Sequence, residues 1–247
     1  MQDRYAADIG DFGKFQLLRY LFLDSSFLIS QLWFMYPDET HNSDGRYINY
    51  FEKVKGFDKD LEDSFKYIIE NRREVKALED ARLINNTSYF RDILEKDCNL
   101  EYRKNWFLKA YEFSKNKQII LTDSDNGIAT RCDRVKKDIE ILSYNSLEKK
   151  SKSGKYIFLD EIEMLFDISE TLIVYHHLNR CFSHDEQIEI LLQDFKNRFK
   201  KVLAIKHKPY SPRVYFFLVK EEKHYNMFLS RLKEFEENYA IHWKLFL

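Results

Sequence analysis

Apolar residues recur at helical spacing near the start of the chain, where Phe12, Phe15, Leu18 and Phe22 share one face of Asp11 to Phe22. Asp8 or Asp11 is placed to cap that helix. The β-rich run from Leu28 to Tyr36 stops at Pro37-Asp38 and predicts a buried first strand, followed by a polar loop from Asp38 to Arg46. Leu61, Phe65, Ile68 and Ile69 predict a helix over Asp58 to Asp80, with acidic residues crowding its first turn. Glu101 to Ser114 repeats that character around Trp106, Phe107 and Tyr111.

The second half alternates strand and helix. Gln118 to Asp123 and Leu172 to His177 are short apolar runs, and His184 to Phe199 has helical spacing. Val202 to Lys206 and Val214 to Val219 flank the turn-rich Lys208-Pro209-Tyr210-Ser211-Pro212. A helix from Glu221 to Glu237 and a strand from Ala240 to Leu245 close the chain. This alternation predicts a three-layer, Rossmann-like α/β fold with a mostly parallel sheet, and the close-spaced C-terminal pair predicts one antiparallel edge. One domain over residues 1–247 is expected, opening with a helical motif (1–25) and carrying a helical layer or insertion at 58–115. Glu148 to Lys155, rich in Lys and Ser, reads as a surface loop.

Composition narrows the class. Aromatic residues make up 16% of 247, ample for a real core, while only 6 glycines and 3 prolines argue against turn-dense all-β designs. The 40 basic and 41 acidic residues nearly cancel, so contact with a polyanion must come from local patches. Cys98, Cys132 and Cys181 stand far apart, which fits reduced thiols in a cytoplasmic protein better than a disulfide frame. No apolar run approaches the roughly 20 residues that span a bilayer, so no membrane partner is expected.

In open α/β sheets, ligands bind beyond the carboxyl ends of the strands. Three expected strand ends are polar: Pro37-Asp38-Glu39, Asp123-Ser124-Asp125-Asn126-Gly127 and Tyr175-His176-His177-Leu178-Asn179-Arg180. Asp123, Asp125, Asn126, His176 and His177 are therefore the candidate catalytic residues, although adjacent histidines on a strand face opposite ways. Asp123 and Asp125, two positions apart on a turn, are also candidate ligands for Mg²⁺ or Mn²⁺, which would make the site a phosphoesterase or nuclease. A plain Asx turn before Gly127 is the bland alternative. Asp8-Ile9-Gly10-Asp11-Phe12-Gly13-Lys14 lacks the spacing of a phosphate loop and reads first as helix initiation. Lys206, Lys208 and Arg213, with Tyr210 among them, form the candidate nucleic-acid patch. A second basic set is Lys149, Lys150, Lys152 and Lys155.

These stretches, taken in order, resemble the bacterial large-subunit ribosomal RNA adenine-N6 methyltransferases. Asp8 to Lys14 is similar to that family's opening helix motif. Ile120 to Asn126 falls where the family carries Asp-Pro-Pro-Tyr, Ile173 to His177 resembles its next strand, and Ser211 to Val219 its last. The resemblance implies a methyltransferase acting on nucleic acid, with S-adenosylmethionine near Asp8, Asp11, Lys14 and Asp38, and with Asp123 orienting the target amine. Pro37 to Asn42 holds no glycine where the family has a glycine-rich turn. Ser124, Asp125 and Asn126 stand in place of Pro-Pro-Tyr. An inactive nucleic-acid-binding relative is the third reading.

Overall fold

The computed structural model describes residues 1–39, 45–54 and 57–247. Along the chain lie α1 (Ile9–Phe22), β1 (Ile29–Leu32), α2 (Phe51–Val54), α3 (Lys59–Asn71), α4 (Val75–Asp80), β2 (Thr87–Phe90), α5 (Leu100–Ser114) and β3 (Ile119–Thr122). There follow β4 (Gly127–Ile128), β5 (Thr130–Asp133), β6 (Asp138–Ile141), β7 (Tyr156–Ile157), α6 (Leu159–Ile168) and β8 (Thr171–His177). The last elements are α7 (His184–Phe199), β9 (Val202–His207), β10 (Arg213–Val219), α8 (Glu222–Tyr239) and β11 (Trp243–Phe246).

Seven strands form the central sheet in the order β11-β9-β10-β8-β3-β1-β2. β2, β1, β3 and β8 are parallel neighbours. β10 runs antiparallel to both β8 and β9, and β11 runs antiparallel to β9. Five strands thus point one way, as the fold expectation requires. The C-terminal hairpin is not the edge: β10 lies inside the sheet, and β11 is the antiparallel edge strand.

Strand side chains alternate between two cores, because successive residues point to opposite faces. Ile29, Ile119, Leu121, Ile173, Leu203 and Phe217 join one core with residues of α1, α3 and α8. Leu32, Ile120, Leu172, Val174, Ala204 and Phe216 join the other with residues of α5, α6 and α7. Helix, sheet, helix is the resulting three-layer, Rossmann-like architecture. No helix among the described residues is long and apolar enough to cross a membrane.

Several expectations shift on folding. Asp58 to Asp80 is two helices, because Val75 N–H is claimed by the Asp3 carboxylate (2.9 Å) and Arg73 Nε by the Ala6 carbonyl (2.9 Å). The first strand ends at Leu32, four residues short of Tyr36. Residues 40–44 of the expected 38–46 loop lie outside the described residues. Within Glu148 to Lys155, Ser153 and Lys155 are buried rather than surface loop, since both reach inward to polar partners. Cys132 and Cys181 form a disulfide, with Cα atoms 6.3 Å apart, and Cys98 is the free, buried cysteine. The expectation of three reduced thiols is corrected: spacing in the chain does not report that the loop after β8 folds back onto β5.

α1 differs from a one-faced amphipathic helix. Almost every residue in it is buried, including Asp11, Lys14 and Gln16. Asp8 starts it by accepting from Gly10 N–H (2.7 Å) and Asp11 N–H (3.0 Å). Gly10 and Gly13 share one face, and a Cβ on either would strike the side chain of Arg213 or His207 respectively. The glycines of the opening motif therefore let the helix lie close on the sheet rim.

Candidate functional site

The carboxyl ends of β1, β3, β8 and β9 and the start of β10 gather at one rim, with the first turns of α1 laid across it. Lys14 is 3% exposed, and its Nζ lies 2.6 Å from both Asp11 Oδ1 and Asp123 Oδ2. The same ammonium sits 4.8 Å from the Trp33 ring centroid. Burial pushes the Asp11 carboxyl up to about 6, outweighing the attraction of Lys14. Burial would lower the Lys14 ammonium, but the two carboxylates overcome it and hold it above its ordinary value.

Asp125 sits in a second network. It takes hydrogen bonds from Gln2 Nε2 and an ion pair from Lys155 Nζ, each at 2.8 Å. Burial opposes its ionisation, yet the N-terminal ammonium and Lys155 hold it below the usual carboxylate range. Lys155 and Lys152 both reach Glu39, and the Met1 ammonium donates to the Phe34 carbonyl at 2.8 Å. Asp38, expected at the cofactor site, is exposed and accepts from the Arg4 backbone N–H at 3.5 Å, whereas its neighbour Glu39 pairs with Lys155.

The turn after β3 is set by Ser124 and Gly127. Gly127 N–H donates to the Ser124 carbonyl, Ser124 Oγ donates to the Gly127 carbonyl, and Gly127 sits at φ +79°. A side chain there would meet the His176 backbone at 2.4 Å. His176 is buried, its Nδ1 accepting from Ile128 N–H at 3.1 Å. Burial, with help from His177 and Lys150, lowers its pKa to about 3, so near neutrality it is an acceptor rather than a proton donor of imidazolium type. His177 is half-buried, and its Nε2 lies 3.2 Å from Ser211 Oγ. Asn126 contributes mainly backbone, donating to the Lys155 carbonyl and accepting from His177 N–H.

The structure separates the expected nucleic-acid patch. Lys206 Nζ pairs with Asp185 at 2.6 Å, and Lys208 Nζ donates to the Ala240 carbonyl. Arg213 is buried against Gly10, with Nε and Nη1 lacking a hydrogen-bond partner among the described residues. Its own register partners are His177 on β8 and His207 on β9.

What sequence reasoning missed is the cleft of about 570 Å³ beyond β8. Asn126, His176, His177, Arg134, Lys150, Arg180 and the Cys132–Cys181 disulfide are among its lining. Lys150 was visible as part of a lysine run, but its direction was not. Its Nζ donates to the Thr130 carbonyl and lies 4.4 Å from the Tyr156 ring centroid. Burial, then the nearby Arg131, lowers its pKa.

Neither proposed cofactor has a ready place. A divalent cation needs free carboxylate oxygens, whereas Asp123 and Asp125 each hold an ammonium. Among the described residues no cluster of His, Cys, Asp and Glu could hold a metal. Among the described residues, Met1, Gln2, Phe34, Tyr36 and Lys155 fill the crevice beyond β1, all more than nine-tenths buried. That packing does not fit S-adenosylmethionine.

No family model matches the chain, and no curated protein matches it. Among solved structures it is similar to human methyltransferase-like protein 13 in complex with SAH, at 8% identity over 90% of each chain and a TM-score of 0.35.

Proposed function

We propose that this protein binds nucleic acid on a methyltransferase-type scaffold, with the phosphate backbone seated in the cleft beyond β8. The observation that carries the reading is the lining: Arg134, Lys150 and Arg180 enter from three separate segments, and no lining residue bears a carboxylate. Arg134 Nη2 donates to the Arg180 carbonyl at 3.2 Å, which holds two cationic segments together at the mouth. Lys150, destabilised as a cation by burial and by Arg131, gains from any anion brought beside it. His176 and Asn126 add neutral hydrogen-bonding groups to the same lining.

Binding of a labelled single-stranded oligonucleotide, followed by fluorescence anisotropy across a salt series, tests this. Each phosphate contact contributes roughly 0.7 to the slope of log K against log salt. Replacing Arg134, Lys150 and Arg180 together by alanine is expected to flatten the slope by about 2 and to weaken binding at least tenfold at low salt. A wild-type protein that binds no oligonucleotide, or a triple variant with an unchanged slope, would overturn the reading.

Methyl transfer, which the resemblance implies, would require S-adenosylmethionine in the filled crevice beyond β1. It would also require Asp123 to release Lys14 before meeting a target amine. We derive no step through the cofactor. Calorimetric titration is expected to give no binding of S-adenosylmethionine in the micromolar range, which corresponds to about −8 kcal/mol. A micromolar dissociation constant would show that the crevice opens, and would restore the enzymatic reading.

A further inference from the structure

We infer that Tyr47 and Tyr210 form a stacking platform for an unpaired base of the nucleic acid held in the neighbouring cleft. This rests on the nucleic-acid reading above and adds to it the form of the ligand, which is single-stranded.

The two rings come from distant parts of the chain and meet with centroids 4.6 Å apart at 36°. Each nevertheless stays open to solvent, Tyr47 at 50% and Tyr210 at 41%. Lys53 Nζ donates to the Tyr210 hydroxyl at 2.6 Å and lies 4.5 Å from its ring centroid, which fixes the ring and places a cation beside it. Two half-exposed aromatic faces next to a lysine are the combination on which bases stack without regard to sequence.

The backbone supports the same assignment. Tyr210 sits at φ +57°, in the left-handed region, between Pro209 and the pair Ser211-Pro212. A bulky aromatic residue is rarely found there. Such strained positions cluster at ligand clamps, where surrounding structure holds them. Here the conformation presents the ring outward at the sheet rim, where a buried role would have hidden it.

Position completes the argument. Ser211, the next residue, puts its Oγ 3.2 Å from His177 Nε2, and His177 lines the cationic cleft. On the other side, Tyr47 is anchored by its carbonyl, which accepts from Ile9 N–H at 3.1 Å at the head of α1. The platform and the cleft are thus joined across the rim through His177. A strand whose phosphates lie in the cleft can turn one base outward onto the tyrosines, and a paired base cannot.

The test uses the full chain and four probes: a single-stranded RNA, a DNA of the same sequence, the corresponding duplex, and a single strand carrying abasic sites. Wild-type protein is expected to bind the intact single strand about tenfold more tightly than the duplex or abasic strand. Tyr210→Ala and Tyr47→Ala are each expected to lose about tenfold on the intact strand and little on the abasic one. Their salt slopes should stay unchanged, since no phosphate contact is removed. Tyr210→Phe keeps the ring and should bind like wild type, which separates stacking from loss of the Lys53 hydrogen bond. Circular dichroism melting of each variant confirms that it is folded. Equal affinity for duplex and single strand, or alanine variants that bind like wild type, would overturn the platform while leaving the cleft reading intact. Absence of binding to all four probes would overturn both.

Discussion

Lys14→Met is expected to lower stability by about 3–5 kcal/mol near pH 8, because it strands two buried carboxylates without their shared cation. Asp11 and Asp123 both point at the Lys14 ammonium, at 2.6 Å each, and are 4% exposed. In the wild type the Asp11 carboxyl already titrates at about 6 against an ordinary 3.8, burial being the main cause. A carboxyl raised on folding binds more protons in the native state, so its contribution to stability falls as pH rises from about 4 through 6. Removing Lys14 takes away the attraction that limits this rise, so the window widens upward. The variant should therefore lose less at pH 5 than at pH 8. Urea denaturation at the two pH values measures both effects. A loss under about 1 kcal/mol at pH 8 would mean that the carboxylates reach water, and the buried network as drawn would be wrong. The triple change of Lys14→Met, Asp11→Asn and Asp123→Asn should recover part of the loss, since it removes the two carboxylates that Lys14→Met strands.

A comparable loss is expected for Arg103→Met, on the opposite face of the sheet. Arg103 and Glu161 have fully buried side chains and meet through two bonds, Nε to Oε1 at 2.6 Å and Nη2 to Oε2 at 2.8 Å. Nη2 also donates to the Tyr156 carbonyl at 2.7 Å, which ties α5 to both β7 and α6. The guanidinium is walled by Phe34, Trp106 and Phe158, with centroids 5.2–5.7 Å away. Without it, Glu161 keeps only Phe158 N–H (3.0 Å) and the Tyr144 hydroxyl (3.0 Å) in an otherwise apolar core. Breaking such a pair costs about 3–5 kcal/mol, whereas replacing both partners by apolar residues is often neutral. The double change Arg103→Met with Glu161→Leu is thus expected to be more stable than Arg103→Met alone, by thermal or urea melting. A double variant less stable than the single would mean that Glu161 matters mainly as an acceptor for its neighbours.

Both predictions concern charges that look unremarkable in the chain. Arg103 is one of several basic residues on a helix whose exposed face is also charged, and nothing in its spacing marks it as the buried one. Lys14 follows a motif that invites a phosphate-loop reading, yet its ligand is the chain's own Asp123, 109 residues away. Arg213 likewise belongs to a basic run and is buried, while Arg134 and Arg180, outside both basic runs, line the cleft.

The sequence by itself determined most of the longer elements. Short continuous apolar runs made Thr171–His177 and Arg213–Val219 strands, helical periodicity made His184–Phe199 a helix over its observed length, and Asp8 set the start of α1. These are local effects, carried by side-chain period and by capping within a few residues, so they survive without knowledge of the rest of the chain. The polar ends of β3 and β8 were legible for the same reason. Tertiary structure alone decided which charges face each other, that Cys132 meets Cys181, that β10 enters the sheet beside β8, that the helix expected over Asp58 to Asp80 breaks in two, and that α2, β2 and the short β4–β7 pair form at all. Such outcomes depend on contacts between segments tens to hundreds of residues apart, and on the cost of burying a charge without a partner. Neither leaves a period in the chain.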